Sequence, residues 1–174
     1  MSIKKNIFLT GAPSCGKTTV IRKVISGLAL PAKGFFTEEE ISGDRRVGFM
    51  MNTLDGRKAY LAHQDITSDF CIRRYGVSIH NIDTVAVPSI LPVANAIIIL
   101  DEIGKMECFS DLFKEAALKA LDSHNIVIGT ITLGGDEFIQ SIKDRADIDI
   151  SEVTLGNRDS LPDIILAKVT VLTE

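Results

Sequence analysis

Residues Gly11-Ala12-Pro13-Ser14-Cys15-Gly16-Lys17-Thr18 fit the pattern G-x-x-x-x-G-K-[ST]. An apolar run, Ile7–Leu9, precedes them, and Val20, Ile21, Val24, Ile25 and Leu28 follow at helical spacing. The loop is therefore expected to join a buried strand to an amphipathic helix. Glycines at these positions let successive backbone N–H groups turn inward around a phosphate, and the first helical turn adds unsatisfied donors and the positive end of its dipole. Gly11 through Thr19 form the expected phosphate-binding set. Within it, Lys17 would set its charge against the β- and γ-phosphates, and Thr18 would offer its hydroxyl to Mg²⁺. The alternative is a plain glycine turn ahead of an ordinary helix, which requires four constrained positions to coincide by chance.

The rest of the chain suits such a loop. Its 174 residues, 45% hydrophobic and 24% charged, are enough for one core, and a single domain spanning 1–174 is expected. A net charge of −4 gives no general attraction for nucleic acid or an anionic membrane, so any polyanion must be held at a local site. The N-terminus passes straight into a short apolar run without a signal-peptide core, and no stretch is long enough to span a bilayer. A cytoplasmic monomer is the expectation. Cys15, Cys71 and Cys108 are too few and too scattered for a zinc site or a disulfide scaffold, and reduced thiols follow.

Three further apolar runs, Ile97–Leu100, Ile126–Ile131 and Val169–Leu172, read with Ile7–Leu9 as strands buried on both faces. Between them Leu112, Phe113, Ala116, Ala117, Ala120 and Leu121 mark a second amphipathic helix, with Ser110 as its N-cap. The order is that of an α/β fold with a mostly parallel sheet. Residues 34–62 break the rhythm. Turn signals at Ser42-Gly43-Asp44 and Asp55-Gly56 divide β-prone residues, so an antiparallel meander inserted in the core is predicted there.

"AIIILDEIGKME" (96–107) is a buried strand that delivers an acidic pair at its C-terminal end, where ligands of open α/β sheets bind. Asp101 is the metal-supporting candidate, and Glu102 is in position to activate a water in line with the γ-phosphate. The alternatives are a capping role for Asp101 and a solvated Glu102. Lys105 and Glu107 either order this pair or face solvent. A segment at 134–148 opens with Gly134-Gly135 and reads as a lid carrying Arg145. Arg145 is then a candidate arginine finger, or a surface arginine suited to a helix C-terminus. Asn157 and Arg158 are base-loop candidates: Arg158 can stack on a base, and Asn157 either reads a base edge or holds the loop.

"FLTGAPSCGKTT", "GFFTEEE" followed by "RRVGF", "ILDEIGKME", "FIQSIKDR" and "NRDSLPDI" occur in the order found in the thermophile-type nucleoside-triphosphatase family. The chain resembles that family over nearly its whole length. The resemblance implies a nucleotide-kinase-like, three-layer P-loop NTPase fold and Mg²⁺-dependent hydrolysis of ATP, GTP, CTP and UTP to the diphosphate and phosphate. It assigns phosphate binding to Gly11 through Thr18, metal support to Asp101 and water activation to Glu102; Arg145, Asn157 and Arg158 match by position only. The loop departs from the family pattern at Ala12 and at Ser14-Cys15, where Pro-Pro-Gly-Val is expected. A thiol at Cys15, near a helix N-terminus, is a candidate for oxidation or alkylation that blocks the site. Two other functions share the same parts: a kinase whose acceptor pocket is built partly by 34–62, and a nucleotide-dependent switch.

Overall fold

The computed structural model describes residues 4–174. In chain order, β1 (Asn6–Thr10) leads through the glycine loop into α1 (Lys17–Gly27). Then come β2 (Ala32–Ser42), β3 (Arg45–Thr53), β4 (Lys58–His63), β5 (Cys71–Ile72) and β6 (Tyr75–Val77). A helical run of α2 (Ile79–Asn81), a π-helical turn (Ile82–Ala86) and α3 (Val87–Ser89) reaches β7 (Ile97–Ile103). The chain closes with α4 (Asp111–Asp122), β8 (Val127–Ile131), α5 (Glu137–Lys143), β9 (Ile148–Glu152) and α6 (Leu161–Thr173).

The strands form one sheet in the order β5-β6-β4-β3-β2-β7-β8-β1-β9. From β2 to β9 every pairing is parallel, and from β2 outward to β5 every pairing is antiparallel. The unalternating Ile/Val runs follow from this. Along β1, Ile7 and Leu9 pack with Val20, Ile21 and Val24 of α1 and Ile165 of α6, whereas Phe8 points to the other face, into the cluster with Phe113 and Ala117 of α4. Side chains alternate but both faces are covered, giving three layers. Ser110 caps α4 as expected: its Oγ accepts from the Phe113 N–H at 3.0 Å. Leu112, placed on the apolar face from sequence, is instead half-exposed at the helix start.

Two elements differ from expectation, and a third is present but joins the sheet as an extension of it. Val169–Leu172 is the last turn of α6 rather than a strand, because Leu161, Ile165 and Val169 recur every fourth residue and together cover the α1 face. The antiparallel meander is present between α1 and β7, as an outgrowth of the core sheet. β2 begins beside β7, with Ala32 to Phe35 in parallel register with Ile97 to Leu100, and then runs on as the first strand of the hairpin with β3. Both predicted turns are present, with Gly43 at φ 59° and Gly56 at φ 91°. The 134–148 segment is not a free lid: Ile139 and Ile142 of α5 are buried in the same core as Phe113.

Candidate active site

Parallel strands deliver their C-terminal ends to one edge of the sheet, and the site assembles there. At the end of β1 the chain must turn at once into α1, and left-handed geometry at Gly11 (φ 144°), Ser14 (φ 61°) and Gly16 (φ 104°) makes the turn. Gly11 is also required by space, since a Cβ there would sit 2.9 Å from both Cys15 Sγ and Val153 O. Gly16 is the N-cap of α1, supplies no side-chain cap, and is followed by no acidic residue in the first turn. The first helical N–H groups are thus left to an anion. Lys17 Nζ lies folded over the loop, donating to Gly11 O at 2.9 Å and Ala12 O at 3.0 Å. Cys15 is half-buried, with Sγ 4.0 Å from Lys17 Nζ.

Across the cleft, β7 ends in the acidic pair. Thr18 Oγ1 donates to Asp101 Oδ2 at 2.8 Å, linking the loop helix to β7 across 83 residues of sequence. Thr130, from the intervening strand β8, donates to Asp101 Oδ1 at 2.5 Å, and Thr37 of β2 donates to the Asp101 carbonyl at 3.2 Å. Burial pushes the Asp101 carboxyl above its ordinary value, opposed by the Thr130 and Thr18 hydrogen bonds and by the Lys17 charge. Glu102 is pushed up to about 7, first by burial and then by the Asp101 charge. Beyond it the backbone bends at Gly104, where a Cβ would come within 2.7 Å of Glu102 Oε1 and 2.8 Å of Glu107 Oε2. A side chain at 104 would therefore push on both carboxyls. Glu107 is 4% exposed, and burial followed by the Glu102 charge holds its carboxyl well above the usual range.

Gly11, Pro13, Ser14, Gly16, Lys17, Thr18 and Thr19 line one wall of a cleft of ≈ 670 Å³, and Asp101 and Glu102 line the facing wall. The structure thus gathers the loop residues and the acidic pair expected from sequence into one cleft. The hydrogen bonds of Thr130 and Thr37 to Asp101 and the buried position of Glu107 fall outside that expectation. A lone threonine inside the run "IVIGTI" is the signal for Thr130, because a buried hydroxyl needs a partner.

Arg145 is not in the cleft. Its guanidinium makes a fork with Asp147, Nε to Oδ1 and Nη2 to Oδ2 both at 2.9 Å, and reaches Asp122 at 2.8 Å. Asp147 in turn accepts from Asn6, the first residue of β1, so Arg145 is anchored at the opposite edge of the sheet, about 15 Å of strand away from the loop. This replaces the arginine-finger expectation with a structural clamp. Asn157 holds its own loop: its Oδ1 accepts from Thr154 N and its Nδ2 donates to Glu152 O, both at 2.8 Å. Arg158 does border the loop, its Cδ 3.6 Å from where a Cβ on Gly16 would stand, and its side chain is exposed.

A glycine cradle opening a helix, a lysine folded over it and a threonine bonded to a buried strand-end aspartate define the P-loop class of nucleotide-binding proteins. Residues 6–166 match the model of the NTPase family, and the chain belongs to that family. It is 41% identical over 163 residues to nucleoside-triphosphatase THEP1 of Thermotoga maritima, covering 92% of this chain and 93% of the relative. It is 33% identical over 180 residues to the human cancer-related nucleoside-triphosphatase, covering 92% and 95%. The crystal structure of THEP1 from Aquifex aeolicus superposes with a TM-score of 0.83 at 32% identity, covering 96% of this chain and 98% of that one.

Proposed function

We propose that this protein is a Mg²⁺-dependent nucleoside-triphosphatase that cleaves the γ-phosphate of ATP, GTP, CTP and UTP with little discrimination among bases. The observation that carries this reading is the position of Glu102, a carboxylate poised near neutrality one residue beyond the Thr18–Asp101 pair. The loop N–H groups and Lys17 bind the β- and γ-phosphates, and Glu102 takes the proton of a water attacking the γ-phosphorus as the bond to the β-phosphate oxygen breaks.

The donor set suits magnesium. The Thr18 hydroxyl and the Asp101 carboxylate are hard oxygen ligands, and among the described residues no group of three or more His, Cys, Asp or Glu forms an all-protein cage. An ion held by one or two protein oxygens plus substrate phosphates has that character, and it would neutralise charge developing on the phosphate oxygens. Thr18 and Asp101 would hold it, while Thr130 and Thr37 keep Asp101 aimed.

Weak base selectivity follows from the base loop. Asn157 holds the loop through two backbone groups, and the exposed side chains of Leu155 and Arg158 offer a surface on which any base can rest. Phosphate release should be measured for all four triphosphates with Mg²⁺ and with excess chelator, and with no acceptor present. Values of kcat/KM within about 10-fold of one another, all lost with chelator, are expected; a preference for one base beyond ~10³-fold would overturn the broad-specificity reading. Among the described residues no helix is long and apolar enough to cross a membrane.

A further inference from the structure

The cleft is longer than hydrolysis requires. The triphosphate machinery runs from the loop after β1 to Asp101 and Glu102 at the end of β7, two strand positions along the sheet, or ~10 Å. The same cleft continues over the antiparallel wing to Tyr75 on β6, six strand positions from β1. Arg158 borders the loop on the β9 flank; with the base resting there, as proposed above, the wing lies on the other side, beyond the γ-phosphate.

The lining of that distal half is specific in kind. Phe49, Leu61 and Ile72 give it an apolar floor. Glu39 and Arg46 form an ion pair at its rim, with the Arg46 guanidinium 4.8 Å from the Phe49 ring centroid and its Nε donating to Tyr75 Oη at 3.3 Å. Arg73 stands at the tight turn between β5 and β6 with φ 54°, exposed, and pairs with no carboxylate among the described residues. An apolar floor, the Glu39 carboxylate at the rim and an uncommitted Arg73 guanidinium match a planar ring, ribose hydroxyls or amino groups, and a phosphate.

We propose that the distal half of the cleft is a second-nucleotide subsite that takes a nucleoside monophosphate, and that the enzyme transfers the γ-phosphoryl group to it. In this step an oxygen of the acceptor phosphate attacks the γ-phosphorus, the bond between the γ-phosphorus and its bridging oxygen breaks, and the products are two nucleoside diphosphates. The acceptor phosphate is already ionised near neutrality, its second pKa being roughly 6, so no base has to take a proton. Water attack does need one. The inference rests on the hydrolytic reading only for the position of the γ-phosphate, and Glu102 separates the two reactions.

The test follows γ-labelled ATP with Mg²⁺ and each of AMP, GMP, CMP and UMP, separating labelled phosphate from labelled diphosphate, in the wild type, Glu102→Gln and Arg73→Ala. Label is expected in at least one diphosphate. Glu102→Gln should keep transfer within about 3-fold while free phosphate falls at least ~100-fold. Arg73→Ala should lower transfer at least 10-fold relative to acceptor-free phosphate release. Label that leaves only as free phosphate with all four monophosphates, in wild type and Glu102→Gln alike, overturns the proposal and leaves the hydrolase intact. Transfer without any acceptor-free phosphate release would instead sustain the subsite and overturn the hydrolytic reading.

Discussion

Replacing Glu102 with Gln should remove acceptor-free phosphate release and, in the nucleotide-free protein, raise stability at alkaline pH. The Glu102 carboxyl moves from an ordinary 4.5 in the unfolded chain to about 7 in the folded one, because burial and the Asp101 charge disfavour ionisation. With a raised acid the unfolded chain gives up its proton first, so stability is greatest below pH 4.5, falls as pH rises through the interval to about 7, and is flat beyond it. A shift of that size corresponds to ~3 kcal/mol at pH 8 and under ~1 kcal/mol at pH 5. Gln is neutral throughout and nearly isosteric, so Glu102→Gln should gain ~3 kcal/mol at pH 8, or about 6–12 °C in Tm for a domain of this size, with little gain at pH 5. Urea unfolding of both proteins at the two pH values, with chelator and no nucleotide, reads this difference. Equal stability at pH 8, or a Gln variant less stable there than the wild type, would refute the claim that Glu102 is held ionised against its surroundings.

Arg145→Ala should cost about 1 kcal/mol through loss of the part-exposed clamp to Asp147 and Asp122, with kcat unchanged; a kcat loss beyond ~100-fold would restore the arginine-finger role. At pH 8, Cys108, pushed up to about 12 first by burial and next by the Glu107 charge, should resist alkylation. Modification of the half-buried Cys15 should abolish nucleotide binding, whereas full activity after labelling that peptide mapping assigns to Cys15 would show that the cradle tolerates it. Gly104→Ala should cost at least ~10-fold in kcat by driving Glu102 and Glu107 apart, measured as phosphate release by protein whose folding is verified by circular dichroism; unaltered kcat would show that the close approach at the bend is dispensable.

The parts of the molecule legible in sequence are those whose residue types are dictated locally. The glycines at 11 and 16 are set by backbone angle, Ser110 by a helix that needs a cap, and the Ile/Val runs of β1, β7 and β8 by burial on both faces. What escaped depended on partners distant in sequence. Val169–Leu172 has strand-like composition, and only packing of its every-fourth-residue pattern on α1 makes it helix. Arg145 has the position of a finger along the chain, but Asp147, Asp122 and the start of β1 claim it at the far edge of the sheet. Thr130 and Thr37 reach Asp101 from two other strands, which no spacing along the chain reveals.

The central claim, that Glu102 activates the attacking water at a P-loop held by Lys17, is tested most directly by comparing ATP binding and Mg²⁺-supported phosphate release in the wild type, Glu102→Gln and Lys17→Ala. Glu102→Gln should bind ATP within a few-fold of the wild type and lose at least ~100-fold in kcat, and Lys17→Ala should lose binding itself. A Glu102→Gln enzyme that still releases phosphate at the wild-type rate would contradict the account.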